Sequence, residues 1–278
     1  MHGQGNRRDG GGAIALRATG RRWDARWWFA LLSSLVLLVA ACAPGEEDGE
    51  LTLFAAASLR AVSDDLEAAW LEANPDAPLI IATEASNVLA AQIEEGARAD
   101  VFISADEIHP RRLADEDHTA AEPVPFARNE IALVARLDGP VTEVADLAEP
   151  GTSIVVGGPS TPIGRYTAAA LDALAGSAQD SLAFSAAVEA NIASREDNVR
   201  AALAKIELGE GDAAFVYRTD ALGSEDSVEI ELPSEARVGA VYSAVRLSQS
   251  ETAVEFLDWL GGPVATAILA DAGFEAAS

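Results

Sequence analysis

Short apolar runs alternate with stretches of helical period along the chain from residue 51 onward. The first, Leu51-Thr-Leu-Phe-Ala-Ala-Ala57, reads as a buried strand that stops at Ser58 and continues directly into an amphipathic helix through Trp70. Leu79–Thr83 predicts a second short strand, Ser86–Glu95 a capped helix closed by Gly96, and Asp100–Ser104 a buried strand. Further strands are predicted over Glu130–Ala135, Ser153–Val156, Ala213–Tyr217 and Val238–Val245. Helices are predicted near Arg165–Leu174 and Val199–Leu208, with one terminal helix over Glu251–Ala270. This interleaving predicts an α/β fold of parallel sheets covered by helices. The roughly 235 residues that follow Cys42 suit two modest lobes or one large α/β unit.

The junctions between these elements carry the candidate chemistry. Ser58 sits where a helix offers its unpaired amides and the positive end of its dipole, which together prepare an anion site. A serine at that position can also be a plain N-cap. The same device recurs at Ser86, in the Gly/Pro-rich loop Val155–Tyr166, and at Asn198-Val199-Arg200, while the strand Ala213–Tyr217 stops at a phenol. Ligands of open α/β sheets bind beyond the carboxyl ends of the strands, and all five positions are strand ends or helix starts. Five neutral donors in one cleft would suit a doubly charged tetrahedral oxyanion.

The first 42 residues read differently. Six arginines precede an apolar run of 15 residues, Trp27–Ala41, which ends in Val39-Ala40-Ala41-Cys42. The run is short of the ~20 residues that span a bilayer, and small residues precede the cysteine. Residues 1–41 are therefore expected to be a lipoprotein signal peptide, with Cys42 the site of lipid attachment to the cell membrane. Cys42 is the only cysteine, so an intrachain disulfide is excluded. Residues 42–50 are polar and read as a flexible tether with a reach of roughly 15 Å. Without the signal, 13 basic residues face 43 acidic ones, a formal charge of −30. Such a chain is a poor partner for nucleic acid or for anionic lipid surfaces.

Several motifs bear a family resemblance. Phe54-Ala-Ala-Ala-Ser58-Leu59, Ala85-Ser86 leading into Leu89-Ala-Ala-Gln-Ile-Glu94, Ala99-Asp-Val-Phe-Ile-Ser-Ala-Asp106, and Val216-Tyr217 with Thr219-Asp220-Ala221 resemble the molybdate-binding proteins of ABC transporters, from about Leu51 to Phe274. The resemblance implies a two-lobed type II periplasmic binding-protein fold, each lobe a mainly parallel sheet flanked by helices. Lobe I would comprise residues 51–127 and 241–278, lobe II residues 128–240, with crossings near Phe126–Asn129 and Val238–Val241. It also implies an extracytoplasmic monomer that captures molybdate or tungstate and delivers it to an ABC permease. Hydroxyl contacts would come from Ser58, Ser86 and Tyr217, and backbone N–H contacts from Ile163 and Val199. No cofactor is implied, and any metal would be held through its oxygens.

Other features qualify that picture. Glu84 stands two positions before Ser86 and would have to turn outward, because a desolvated carboxylate repels an anion by several kcal/mol. Arg60, Arg165, Arg200 and Arg218 adjoin the proposed contacts and are expected to form salt bridges rather than to touch the ligand. No Ser/His/Asp order, metal-ligand spacing or phosphate-loop pattern argues for an enzyme. His109 and His118 lie in an acidic, polar stretch and are expected in solvent. Asp100 and Asp106 are expected to serve caps and turns. The competing ligands are sulfate and ferric iron, the latter held elsewhere in this fold by paired tyrosines, whereas Tyr166, Tyr217 and Tyr242 are not adjacent here.

Overall fold

The computed structural model describes residues 50–277. The expected signal segment, Cys42 and the tether up to Gly49 lie outside the described residues. Strand β1 (Leu51–Ala56) runs parallel to β2 (Leu79–Glu84) on one side and to β3 (Val101–Ser104) on the other. Strand β3 pairs antiparallel with β9 (Gly239–Arg246), and β9 pairs antiparallel with β4 (Val124–Arg136) up to Glu130. From Ile131 onward β4 pairs instead with β7 (Ala213–Tyr217) and β8 (Ser227–Ile230). Strand β5 (Ile154–Gly157) lies parallel to β7 and to β6 (Ile192–Glu196), and the short β10 (Glu275–Ala276) closes against β4. The parallel ladders expected from the sequence are thus joined by two long antiparallel strands.

Each parallel strand hands the chain to a helix. Helices α1 (Arg60–Ala73), α2 (Ser86–Glu94) and α3 (Ile108–Asp115) follow β1, β2 and β3. In the other half, α4 (Pro162–Ser177) follows β5, α5 (Ser181–Asn191) leads into β6, α6 (Val199–Glu207) follows β6 and α7 (Arg218–Leu222) follows β7. Helix α1 buries Val62, Leu66 and Trp70, one stripe at helical spacing. The Trp70 ring meets Phe256 and Trp259 edge-on at 5.2 and 5.5 Å, and its indole N–H donates to the Ala77 carbonyl at 2.7 Å. Aromatic pairs of this kind add to the area they bury.

Two expectations need correction. The terminal helix is not continuous but is two helices, α8 (Glu251–Leu260) and α9 (Pro263–Asp271), bent by 53° at Gly261-Gly262. Pro263 occupies the first turn of α9, where its missing N–H costs nothing, and could not sit inside a longer helix. Strand β4 extends six residues upstream of the expected Glu130, through Pro125 and a register shift between Pro125 and Ala127. That segment is a strand by pairing with β9 on one side and with the short β10 on the other. No single helix among the described residues is long and apolar enough to cross a membrane.

The β5–α4 junction shows how close packing fixes a helix start. Thr161 caps α4 by accepting the Gly164 N–H at 3.0 Å and donates its own proton to the Gly158 carbonyl at 2.7 Å. A Cβ on Gly164 would overlap that same Gly158 carbonyl. Gly164→Ala is therefore expected to lower unfolding free energy by at least ~1–3 kcal/mol, the usual cost of overpacking. Chemical denaturation checks this, and a midpoint equal to the parent's would contradict it.

Candidate functional site

Six chain junctions converge on one cavity. Ala56, Ala57 and Ser58 come from the end of β1, Ala85 and Ser86 from the end of β2, and Ala105 from the end of β3. Thr161, Pro162 and Ile163 start α4, Asn198 and Val199 start α6, and Tyr217 ends β7. All five residues singled out in the sequence therefore line the same cavity, two from the β1–β3 half and three from the β5–β7 half. None of the lining residues is charged. The enclosed space is about 20 Å³, room for about a single water and far below the roughly 300–1,000 Å³ of pockets that take drug-sized ligands.

Hydrogen-bond accounting shows which polar groups remain available. The Ser58 hydroxyl, 4% exposed, lies 2.7 Å from the Tyr242 hydroxyl. The Ser86 hydroxyl accepts the Ala105 N–H at 3.1 Å. A hydroxyl has one proton and two lone pairs. Ser86 thus keeps its proton for the cavity, and Ser58 does so when Tyr242 is the donor between them. Neither serine is a cap: the N-cap of α2 is Ala85, and the turn Ala57–Leu59 ahead of α1 has no side-chain cap. The Tyr217 hydroxyl is buried with no hydrogen-bond partner among the described residues, an arrangement that costs about 1–3 kcal/mol unless something else supplies an acceptor.

The amides follow the same logic. Ile163 and Val199 occupy first-turn positions, where an α-helix has no internal acceptor for its N–H groups. The amides of Ser58 and Ser86 stand at equivalent positions, the unpaired helix-start amides expected at those two junctions. Two other polar lining residues are already occupied. Thr161 uses both its roles in capping α4, and Asn198 accepts the Ala201 N–H at 2.9 Å and donates to Glu84 at 2.8 Å. What faces the cavity is a set of neutral donors.

Charged neighbours are held aside. Glu84 is not in the lining; one carboxylate oxygen accepts the Ala85 N–H at 2.7 Å and the Asn198 side-chain amide. Arg165 pairs with the buried carboxylate of Asp106, and Arg200 with Asp220 at 3.3 Å. Arg60 donates to the Thr83 carbonyl at 3.3 Å rather than to an acidic side chain. Asp106 also accepts the His109 N–H at 3.1 Å, the turn duty expected of it, whereas the Asp100 side chain reaches across to strand β1 and accepts the Thr52 N–H at 2.9 Å. His109 itself corrects the sequence reading. It is buried, with its ring against Asp106, and burial together with the Arg112 charge pushes its pKa down to about 4. Desolvation raises Asp220 to about 7, and it pushes the Tyr217 and Tyr242 phenols well above their ordinary value, so both stay protonated donors.

Two α/β halves with a donor-lined cavity between them, joined by a pair of long strands, define the class: a two-lobed type II periplasmic binding protein. The chain belongs to the family of bacterial extracellular solute-binding proteins, which matches residues 51–275. It is 32% identical over 237 residues to the molybdate-binding protein ModA of Mycobacterium bovis, covering 83% of this chain and 86% of that relative. Among solved structures it resembles the Azotobacter vinelandii periplasmic molybdate-binding protein, with a TM-score of 0.67 at 22% identity over 82% of this chain and all of the other. It also resembles the sulfate-binding protein SubI of Mycobacterium tuberculosis, with a TM-score of 0.70 at 19% identity over 81% of this chain and 86% of the other.

The bonding pattern separates two conservative substitutions. Tyr217→Phe removes a buried hydroxyl that has no partner, so the ligand-free protein should be as stable as the parent or more so. Ser58→Ala strands the Tyr242 hydroxyl and should cost about 1–3 kcal/mol. Denaturant titration of both ligand-free variants measures the difference, and the opposite order would refute the accounting.

Proposed function

We propose that this protein is the extracytoplasmic solute-binding component of an ABC importer, and that it captures molybdate, or tungstate by the same contacts, for delivery to the permease. The observation that carries the reading is the buried, partnerless Tyr217 hydroxyl facing the same uncharged cavity as the Ser58 and Ser86 hydroxyls and the free Ile163 and Val199 amides. A tetrahedral dianion presents four oxygens in different directions, each able to accept more than one hydrogen bond, enough for the five donors. A protonated anion would bring an O–H into a cavity whose free groups are donors, and would leave that proton unpaired. The 32% identity to a protein named for molybdate binding supports the same ligand.

Sulfate is the competing ligand, and the fold alone does not decide against it. Donor type does not separate two dianions; cavity size does, because a smaller anion cannot reach every donor at once. Ferric iron is less compatible. The three tyrosines do cluster, with ring centroids 5.8 Å apart for Tyr217 and Tyr242 and 6.3 Å for Tyr166 and Tyr217. Iron needs phenolates, however, and burial favours the neutral phenol at all three.

In this reading residues 51–127 with 241–278 form one lobe and residues 128–240 the other. The hinge falls near Phe126–Asn129 and Val238–Val241, and the partner change of β4 after Glu130 supports that division. The chain works as a monomer and needs no cofactor. Cys42 carries the lipid that holds it to the membrane.

Calorimetric titration of the purified protein with molybdate, tungstate, sulfate and phosphate tests the reading. Stoichiometric binding of molybdate and tungstate is expected, with sulfate and phosphate much weaker. Ser58→Ala and Tyr217→Phe should each weaken molybdate binding by ~1.5–3 kcal/mol, roughly 10- to 150-fold in dissociation constant. Affinities within twofold of the parent for both variants would overturn these assignments, and a preference for sulfate would reassign the ligand.

Anchoring is tested separately. Cys42→Ala should leave the precursor unprocessed or the protein released from the membrane fraction. A variant that is processed and retained like the parent would exclude lipidation at this residue.

A further inference from the structure

Glu84 is a carboxylate held at the edge of the proposed anion site, and simple electrostatics gives no reason for it to be there. Its oxygen Oε1 accepts two hydrogen bonds, from the Ala85 N–H at 2.7 Å and from the Asn198 side-chain amide at 2.8 Å. The first bond lies within the β2–α2 junction that presents Ser86. The second crosses the cavity to the opposite half, where Asn198 caps α6 by accepting the Ala201 N–H and so sets the direction of the first-turn amide of Val199. Asn198 therefore has its carbonyl oxygen engaged by its own helix and its NH₂ engaged by Glu84. Two neighbouring contacts also bridge the halves: Asn87 donates to the Ser160 hydroxyl at 3.3 Å, and Arg165 pairs with Asp106.

We propose that Glu84 is a positioning residue. Its carboxylate ties the Asn198 cap, and through it the Val199 amide, to the wall that carries Ser86, and this tie slows release of the bound oxyanion. The proposal rests on the reading that the cavity binds an oxyanion. The sign of its effect differs from that of the charge alone. Removing a negative charge beside a dianion should strengthen binding if Glu84 is a bystander. Removing a cross-cavity tie should weaken it, and the loss should fall on dissociation rather than on association, which the open form governs.

The test uses the full chain with E84A and E84Q. Gln keeps a carbonyl acceptor for the Asn198 amide and loses the charge, so it is the variant that separates the tie from the charge. For E84A the molybdate dissociation constant is expected to rise roughly 5- to 50-fold, mainly through a faster dissociation rate in stopped-flow, while E84Q stays within about threefold of the parent or binds more tightly. Hydrogen exchange of the ligand-free proteins gives a second readout, independent of any ligand. Amides in the first turn of α6 should exchange several-fold faster in E84A than in the parent, and E84Q should restore protection. Tighter molybdate binding by E84A, or unchanged exchange in α6, would overturn the proposal. If the parent binds none of the four oxyanions, the functional reading fails, and the exchange experiment still decides whether Glu84 anchors Asn198.

Discussion

A buried hydrogen-bond donor has to find an acceptor, and this site is built from donors that find none inside the protein. The Tyr217 hydroxyl is the clearest case, since it sits on the last residue of a strand that is buried throughout and meets no acceptor. The first-turn amides of α4 and α6 extend the same deficit, because helix geometry leaves them unpaired wherever a helix begins. Parallel ladders bring these helix starts together at the carboxyl ends of β1, β2, β5 and β6, so the topology concentrates the deficit in one place. An anion rich in acceptors is the chemical complement of that arrangement.

Neutral donors act here against an unfavourable background. A strongly acidic protein repels a dianion at distance, and the nearby guanidinium groups do not compensate, since Arg165 and Arg200 are paired with Asp106 and Asp220. Affinity would then have to come from oriented dipoles at contact range, where salt screening is weak. The Ala105 amide engages the Ser86 oxygen from behind and leaves its proton for the cavity, and Tyr242 does the same for Ser58 when its phenol is the donor between them. The side chains that do not touch the cavity thus decide what the lining serines offer.

Much of the fold was legible because its signals are local. The bounds of β7 were read as Ala213–Tyr217 and observed as such, and β1, β2, α2 and α6 fell within two residues of expectation. Helices α3, α5 and α7 and strands β6, β8 and β10 are not among the expected elements: α5 has weak periodicity, and α3, though amphipathic, is only eight residues long and polar overall. The break in the terminal helix was also written locally, in Gly261-Gly262-Pro263, but a sustained apolar pattern on both sides masked it. His109 went the other way: the polar composition around it suggested solvent, whereas α3 turns its ring inward onto Asp106.

The sequence by itself pointed to Ser58, Ser86, the loop Val155–Tyr166, Asn198-Val199-Arg200 and Tyr217 as strand ends and helix starts, and the family resemblance narrowed the amide donors to Ile163 and Val199. Strand ends and helix starts depend on residues a few places apart, which a linear pattern records. Only the tertiary structure decided what those donors face and what engages their other atoms. Ser58 meets Tyr242 across 184 residues of chain, and Glu84 meets Asn198 across 114. The upstream half of β4 is a strand because β9 and β10 lie beside it. Such pairings are fixed by the packing of the whole sheet, and no short stretch of sequence contains both partners.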